Sequence, residues 1–390
     1  MTVLQLISSE GLYGAESMLI ALSQALTRKG HRVVIGVFED SRTPHTEVAE
    51  FAEKLGLTVR RIPCHGRWDF KTVAEIRNLL QSFGAEILHA HGYKADLYGY
   101  AASCSYDTVL VSTCHNWPSK RLVMKIYAAL DRLVLRAFQR VATPSPLVAG
   151  ILKQSGICSS KVALIGNGVD IERFGCAVAT LTNLGRKVIG FVGRLVPGKG
   201  GEVLLAAAQK VVAAHPDASF AFVGEGPLRG DWEAMAQSLG IADRVTFTGA
   251  RNDMPGVYAS LNMLVLPSFE EAMPMCVIES MANGKPVIAT PVGAIPELIL
   301  PGTTGLLVEP GDADGLAAAI LHLLSNPEKA GQLGENAALH VRRYFSADAM
   351  AQKYVELYQQ ALDTRWTPPL KPVFGSKLIP NERSEMNNFK

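Results

Sequence analysis

The same opening is written twice in this chain. Val3–Ile7 is a short apolar run, and Ser8–Glu16 is a polar loop holding Gly11 and Gly14. Met18, Leu19, Leu22 and Leu26 then recur at helical spacing until Gly30, and Val33–Val37 is a second apolar run. The second half repeats the plan with the run Val188–Val192, the glycine-rich loop Gly193–Gly201, the helix Glu202–Ala214, the stop at Pro216 and the run Ser219–Val223. Apolar strands joined through helices form parallel sheets, because the crossover helices cover both faces. Strand-like runs at Ile87–Ala90, Val109–Thr113, Val162–Ile165, Val245–Phe247, Met263–Leu266, Val287–Ala289 and Gly305–Val308 keep up the alternation. The chain has 390 residues. A single core stops growing at roughly 250–300 residues, so the pattern predicts two α/β Rossmann-like domains.

The expected boundaries are 1–175 for the first domain and 186–345 for the second, with the seam in the weakly periodic stretch Phe174–Lys187. Residues 346–363 read as a last helix that can cross back to the first domain, and 364–390 as a polar tail. In open parallel sheets ligands bind beyond the carboxyl ends of the strands. Two such sheets facing one another place a binding cleft between the domains.

Composition narrows the class. Hydrophobic residues make up 48% and charged residues 19%, which suits a globular chain, and the net charge of +2 argues against a nucleic-acid binder. No apolar run approaches the roughly 20 residues of a membrane-spanning helix. The N-terminus reads as a first strand rather than a signal peptide. Cys64, Cys104, Cys114, Cys158, Cys176 and Cys276 form no C-x-x-C pair. Free thiols in a cytoplasmic protein are the expectation.

The sharpest local signal is Ser268–Glu279, which follows a strand and opens a helix. Glu271 falls in the loop and Glu279 in the early helix, so both can face one cleft. The free N–H groups of that helix start suit a phosphate. The plainer reading is a solvated loop glutamate and a helix-dipole partner. A second signal, Gly193-Arg194-Leu195-Val196-Pro197-Gly198-Lys199-Gly200, nearly spells a Walker A loop. Gly200 stands where a magnesium-binding Ser or Thr belongs, which counts against an ATPase. Arg194 and Lys199 remain as two cations beside a helix start, fit to neutralise a pyrophosphate.

Together these motifs resemble the retaining glycosyltransferases of the GT-B fold that carry an E-x7-E motif, the family 4 or group 1 type. Gly11-Leu12-Tyr13-Gly14-Ala15-Glu16, Thr113-Cys114-His115-Asn116, Asn167-Gly168-Val169-Asp170, Gly224-Glu225-Gly226-Pro227 and Gly284-Lys285-Pro286-Val287 match in order and spacing, from about Val3 to Leu362. The resemblance implies the GT-B architecture, two facing Rossmann-like domains with an interdomain cleft. It implies an acceptor-binding first domain and a donor-binding second domain. It assigns the chemistry to Glu271, His115, Arg194 and Lys199. Donor contacts would come from Gly14, Arg194, Lys199, Met273, Met275, Cys276, Val277 and Glu279, and the acceptor side from Gly11, Tyr13 and Glu16. Many relatives have Gly-Phe-Gly after the first Glu, where this chain has Ala272-Met273-Pro274.

No metal site is expected. His89 and His91 flank Ala90 without a third ligand, and Asp312-Ala313-Asp314 precedes an apolar helix and reads as a helix cap. In the stretch after His115, Leu122, Val123, Ile126, Tyr127, Leu130, Leu133, Val134, Ala137 and Phe138 predict an apolar face. Arg121, Lys125, Arg132 and Arg136 lie opposite and suit an anionic membrane surface. Residues 1–180 carry 20 Lys and Arg against 15 Asp and Glu.

The leading expectation is therefore a retaining, metal-independent glycosyltransferase with no cofactor. It would take a UDP-, GDP- or ADP-sugar to a glycan or lipid-linked acceptor, in cell-surface polysaccharide or lipopolysaccharide synthesis. It would work in the cytoplasm or at the inner membrane face. The alternatives are a non-catalytic sugar-nucleotide-binding protein of the same fold and a P-loop-like NTPase.

Overall fold

The computed structural model describes residues 1–364, apart from 10, 41–44, 46, 66–68, 105, 116–121 and 183. Residues 365–390 of the polar tail and Arg121 lie outside the described residues, and the side chains of Leu122, Val123, Lys125, Ile126 and Tyr127 are likewise not described. The first half holds strands β1 (Thr2–Ile7), β2 (Arg32–Glu39), β3 (Thr58–Pro63), β4 (Ile87–His91), β5 (Val109–Thr113), β6 (Arg140–Thr143) and β7 (Val162–Leu164). Between them run α1 (Gly14–Arg28), α2 (Glu47–Lys54), α3 (Phe70–Phe83), α4 (Tyr93–Ser103), α5 (Leu122–Leu135) and α6 (Pro146–Gln154), with α7 (Ile171–Gly175) after the last strand. The second half holds β8 (Lys187–Val192), β9 (Ala218–Val223), β10 (Val245–Gly249), β11 (Met263–Leu266), β12 (Val287–Ala289) and β13 (Gly305–Leu307). Its helices are α8 (Gly201–Ala214), α9 (Arg229–Ser238), α10 (Met254–Ala259), α11 (Met275–Ala282), α12 (Ile295–Leu298), α13 (Ala313–Ser325) and α14 (Pro327–Tyr344), followed by α15 (Ala347–Asp363).

The first sheet runs β3-β2-β1-β4-β5-β6-β7 and the second β10-β9-β8-β11-β12-β13. Each reverses its strand order beside its first strand, between β1 and β4 and between β8 and β11. That reversal opens a crevice at the carboxyl ends, where ligands bind in open sheets. Strands β1, β4 and β5 are buried almost throughout, as strands covered by helices on both faces must be. Two strands escape the apolar-run reading. β3 is an edge strand exposing Arg60 and Arg61, and β6 has only Val141 and Ala142 between Arg140 and Thr143.

The chain crosses between the halves twice, and the crossings touch. The Val169 N–H donates to Phe345 O at 2.9 Å, and the Ala347 N–H donates to Val169 O at 2.8 Å. A Cβ on Gly168 would lie 2.6 Å from Ser346 O, so only glycine allows this approach. The Ser346 hydroxyl then caps α15 by accepting from the Ala349 N–H. α15 packs on the first half, where Tyr354 meets Thr113 and Tyr358 meets His89. Buried side chains from the second sheet, α15 and the inner face of α1 form one continuous apolar cluster.

α5 departs from its sequence reading. Leu130 and Leu133, expected on the buried face, are 37% and 46% exposed, whereas Asp131, Leu135 and Phe138 are buried. The helix turns its carboxylate toward Asp96 of α4, and burial raises both acids, Asp131 to about 7. Among the described residues no helix is long and apolar enough to cross a membrane.

Candidate active site

Loops leaving the carboxyl ends of both sheets enclose a cleft of about 570 Å³. The first half contributes the loop after β1, the start of α4 and His115 after β5. The second contributes Arg194 and Lys199 after β8, and Glu271 to Cys276 after β11.

Lys199 and Glu271 meet at the cleft. The Lys199 Nζ donates to Glu271 Oε1 at 2.6 Å, and the Ser268 hydroxyl donates to the same oxygen at 2.8 Å. The Glu271 side chain is only 7% exposed, so both contacts hold it in one place. Its loop is pinned from behind. Gly293 has a φ of +59°, and a Cβ there would lie 2.0 Å from Glu271 O. The Ala294 N–H donates to Ala272 O at 2.8 Å.

The residues that replace Gly-Phe-Gly have their own supports. Met273 is buried, its sulfur accepts from the Asn167 N–H at 3.0 Å, and its carbonyl accepts from Asn167 Nδ2 at 3.2 Å. The loop after Glu271 is thus bonded to the first half of the chain.

Gly200 decides the Walker question. Its φ is +72°, and a Cβ there would lie 2.0 Å from Pro267 O. A serine or threonine cannot stand at this position without moving the backbone, so the loop cannot supply a magnesium-binding hydroxyl. The cations remain. Arg194 is exposed at the cleft, with its guanidinium 5.9 Å from the centre of the Tyr13 ring.

Glu279 is buried in the second turn of α11 and accepts from the Tyr258 hydroxyl at 2.7 Å. Burial pushes its carboxyl above the ordinary range, opposed by Tyr258 and by the nearby Arg173 guanidinium. It is therefore not a solvated helix-dipole partner. Tyr258 was not legible as a site residue, because the sequence carries no sign that α10 aims its hydroxyl at α11.

On the facing side, Tyr13 and Glu16 start α1, with the Tyr13 N–H donating to Glu16 Oε2 at 3.1 Å. Gly14 comes close to the second half, since a Cβ there would lie 3.3 Å from Met275 Cγ. Two assigned residues fall outside the cleft lining. Val277 is fully buried in the core, because its place on α11 turns it inward. Gly11 lies behind Tyr13, where a Cβ would come 2.9 Å from the tyrosine ring. Met273, Met275 and Cys276 do line the cleft.

The histidines form a chain, buried at His89 and His91 and half-buried at His115, where it meets the cleft. His115 Nε2 and His91 Nδ1 lie 3.1 Å apart, and His91 Nε2 lies 2.7 Å from Gln5 Oε1. His89 sits deeper, 2.7 Å from both Tyr358 Oη and Thr113 Oγ1, and does not line the cleft. Burial lowers all three, His89 to about 3 and His115 to about 4. Among the described residues no group of His, Cys, Asp and Glu could hold a metal ion. Asp312 caps α13 by accepting from the Gly315 N–H at 2.8 Å, and Asp314 pairs with Lys210.

Comparison with known proteins places both halves. Residues 13–173 match the family model described as Glycosyltransferase Family 4, and residues 186–326 match the model described as Glycosyl transferases group 1. A D-inositol 3-phosphate glycosyltransferase of Segniliparus rotundus is 28% identical over 368 residues, covering 88% of this chain and 78% of that protein. A 2-deoxystreptamine glucosyltransferase of Streptomyces kanamyceticus is 31% identical over 219 residues, covering 53% and 57%. HepE of Anabaena, solved in complex with UDP-glucose, superposes with a TM-score of 0.77 at 23% identity, over 92% of this chain and 99% of that one. Sucrose-phosphate synthase of Thermosynechococcus elongatus gives 0.74 at 23% identity, over 93% and 99%. These likenesses establish the GT-B fold. With a family model on each half and both sheets in place, the chain belongs to the group 1, family 4 glycosyltransferases.

Proposed function

We propose that this enzyme transfers a sugar from a nucleoside-diphosphate donor to a glycan or lipid-linked acceptor, with retention at the anomeric carbon and without a metal. The observation that carries the reading is the arrangement at one cleft wall. Arg194 and Lys199 stand beside the start of α8, and the paired Glu271 stands before the start of α11. Two cations and two helix N-termini suit a diphosphate whose negative charge grows as it leaves.

In this reading the donor lies on the second domain. Arg194 and Lys199 bind the diphosphate in the role a metal would otherwise fill, and Glu279 holds the ribose. Glu271 orients the sugar and stabilises positive charge at the reacting carbon. The acceptor hydroxyl enters from the Tyr13 side, on the face from which the diphosphate departs. A new C–O bond forms as the sugar–phosphate C–O bond breaks, and the hydroxyl proton passes to the departing phosphate oxygen.

HepE was solved with UDP-glucose, which favours a uracil nucleotide. The test is a thermal-shift screen of UDP-, GDP- and ADP-sugars with EDTA present, followed by turnover with the stabilising donor. A ligand at about 100 Kd should add about 2.7 kcal/mol. We expect stabilisation by one nucleotide class and turnover that survives chelation. Activity lost to EDTA and restored by manganese would overturn the metal-free assignment. Stabilisation without turnover on any acceptor would favour the non-catalytic reading.

The acceptor has two candidate classes. The names of the S. rotundus and S. kanamyceticus relatives point to small cyclitols. The surface of α5 favours a lipid-linked acceptor at a membrane in cell-surface polysaccharide or lipopolysaccharide synthesis. Exposed Leu130 and Leu133 accompany the exposed Arg136 and the half-buried Arg132. An anionic leaflet attracts nearby cations by about 1 kcal/mol each, less in salt. Co-sedimentation should show binding to anionic vesicles that fades with salt and falls in an Arg132→Gln, Arg136→Gln variant. Equal partition onto neutral and anionic vesicles, or none, would leave the cyclitol class standing.

A further inference from the structure

We propose that Gln5 and His91 are positioning residues that hold His115 in a single tautomer, with Nε2 protonated and Nδ1 bare, so that the cleft receives a hydrogen-bond acceptor. Gln5 is fully buried on β1 and presents its side-chain oxygen to His91 Nε2 at 2.7 Å. With the Gln5 amide turned this way its carbonyl oxygen can only accept, and His91 Nε2 then carries the proton. A neutral imidazole carries one proton, which makes His91 Nδ1 an acceptor. His115 Nε2, 3.1 Å away, must then donate to it. A neutral His115 has spent its proton there, and its Nδ1 is left with a lone pair.

Neutrality of the pair follows from its surroundings. His91 is buried and His115 half-buried, burial disfavours charge on each, and His89 and His115 both oppose a charge on His91. The three rings pack as a column, with His89 and His91 centroids 4.2 Å apart and His91 and His115 centroids 5.4 Å apart. A charge on one ring would lie close against the next.

The tautomer has a consequence for substrate class. His115 lines the same cleft as Glu271, and we place its ring against the sugar of the donor proposed above, so that this inference rests on that function. A bare Nδ1 accepts from a hydroxyl group and repels a carboxylate. This enzyme would therefore take a donor whose sugar carries a hydroxyl at that position, and discriminate against the corresponding uronic acid. Without the Gln5 oxygen the chain of donors can reverse, and His115 loses its fixed polarity.

The test uses full-length protein labelled with ¹⁵N-histidine, with ring nitrogen shifts read through their couplings to the carbon-bound protons. His115 and His91 should both report the Nε2–H tautomer between pH 6 and 8. Gln5→Leu should mix the His115 tautomers and lower kcat/KM by about tenfold. His91→Asn keeps an acceptor facing His115 and should keep its tautomer, whereas His91→Leu should not. A His115 found as Nδ1–H, or as an imidazolium at pH 7, overturns the proposal. So does a fixed His115 tautomer in folded Gln5→Leu and His91→Leu proteins. Titration with UDP-glucose, UDP-galactose, GDP-mannose and ADP-glucose separates this inference from the function it rests on. If a donor moves the His115 signals but the tautomer is Nδ1–H, the site reading stands and this inference falls. If the tautomer is as stated and a donor that supports turnover leaves His115 unmoved, the placing against the sugar falls, and the substrate consequence with it.

Discussion

Lys199 faces two demands. In the free protein its ammonium holds Glu271, and a bound diphosphate would draw on the same charge. The pair keeps both side chains in place before a ligand arrives, which lowers the ordering cost on binding. Arg194, Lys199, Glu271 and Glu279 could be read from the sequence because their spacing is a motif. Gln5 and Tyr258 could not, because a buried polar residue is defined by its partner and the partner lies on another element. Tyr258 yields a residue-scale prediction. Its hydroxyl favours the ionised form of Glu279, whose carboxyl is already raised by burial. Tyr258→Phe removes that hydrogen bond and raises the carboxyl further, so more of it is protonated at low pH. Donor KM should rise roughly three- to tenfold, more at pH 6 than at pH 8, with kcat nearly unchanged. A fall in kcat at constant KM would assign Tyr258 to the chemistry instead.

At the scale of elements, reading failed where burial and hydropathy part company. The apolar spacing of α5 points Leu130 and Leu133 inward, yet the helix buries Asp131 and leaves those leucines out. Only the neighbouring α4, with Asp96 fully buried, explains that rotation. The edge strand β3 was hidden by its arginines, and β6 by its polar ends, since Arg140 and Thr143 leave only Val141 and Ala142 as an apolar pair. The acid pair makes a pH prediction. Both carboxyls bind protons more tightly folded than unfolded, with Asp131 raised to about 7. The unfolded value is about 3.9, so this stabilisation is complete below that pH and is lost as pH rises through about 7. Asp131→Asn supplies an amide donor to Asp96 at every pH. Calorimetry should find its gain in Tm over wild type smallest near pH 4 and several degrees at pH 8. Equal differences at the two pH values would show that the pair does not share a proton.

For the whole molecule, the repeated strand–loop–helix opening carried the two sheets, because that pattern has few other solutions. That the sheets face one another, with the last helix crossing back to the first half, was expected from the resemblance. The contacts that hold them there were not legible, such as Val169 with Ser346 and Asn167 with Met273, because they join residues far apart in the chain. These contacts set two loop-bearing rims across one cleft, and the proposed function needs the nucleotide on one rim only. Calorimetric titration with UDP, or with whichever nucleoside diphosphate the donor screen selects, tests that assignment most directly. Arg194→Ala and Lys199→Ala should each weaken binding by about tenfold or more, since each removes a charge-assisted contact of about 1.5–3 kcal/mol. His115→Ala, on the opposite rim, should leave the affinity of the bare diphosphate within about twofold. Wild-type affinity in both cation variants, or a loss confined to His115→Ala, would contradict the placement of the donor on the second domain.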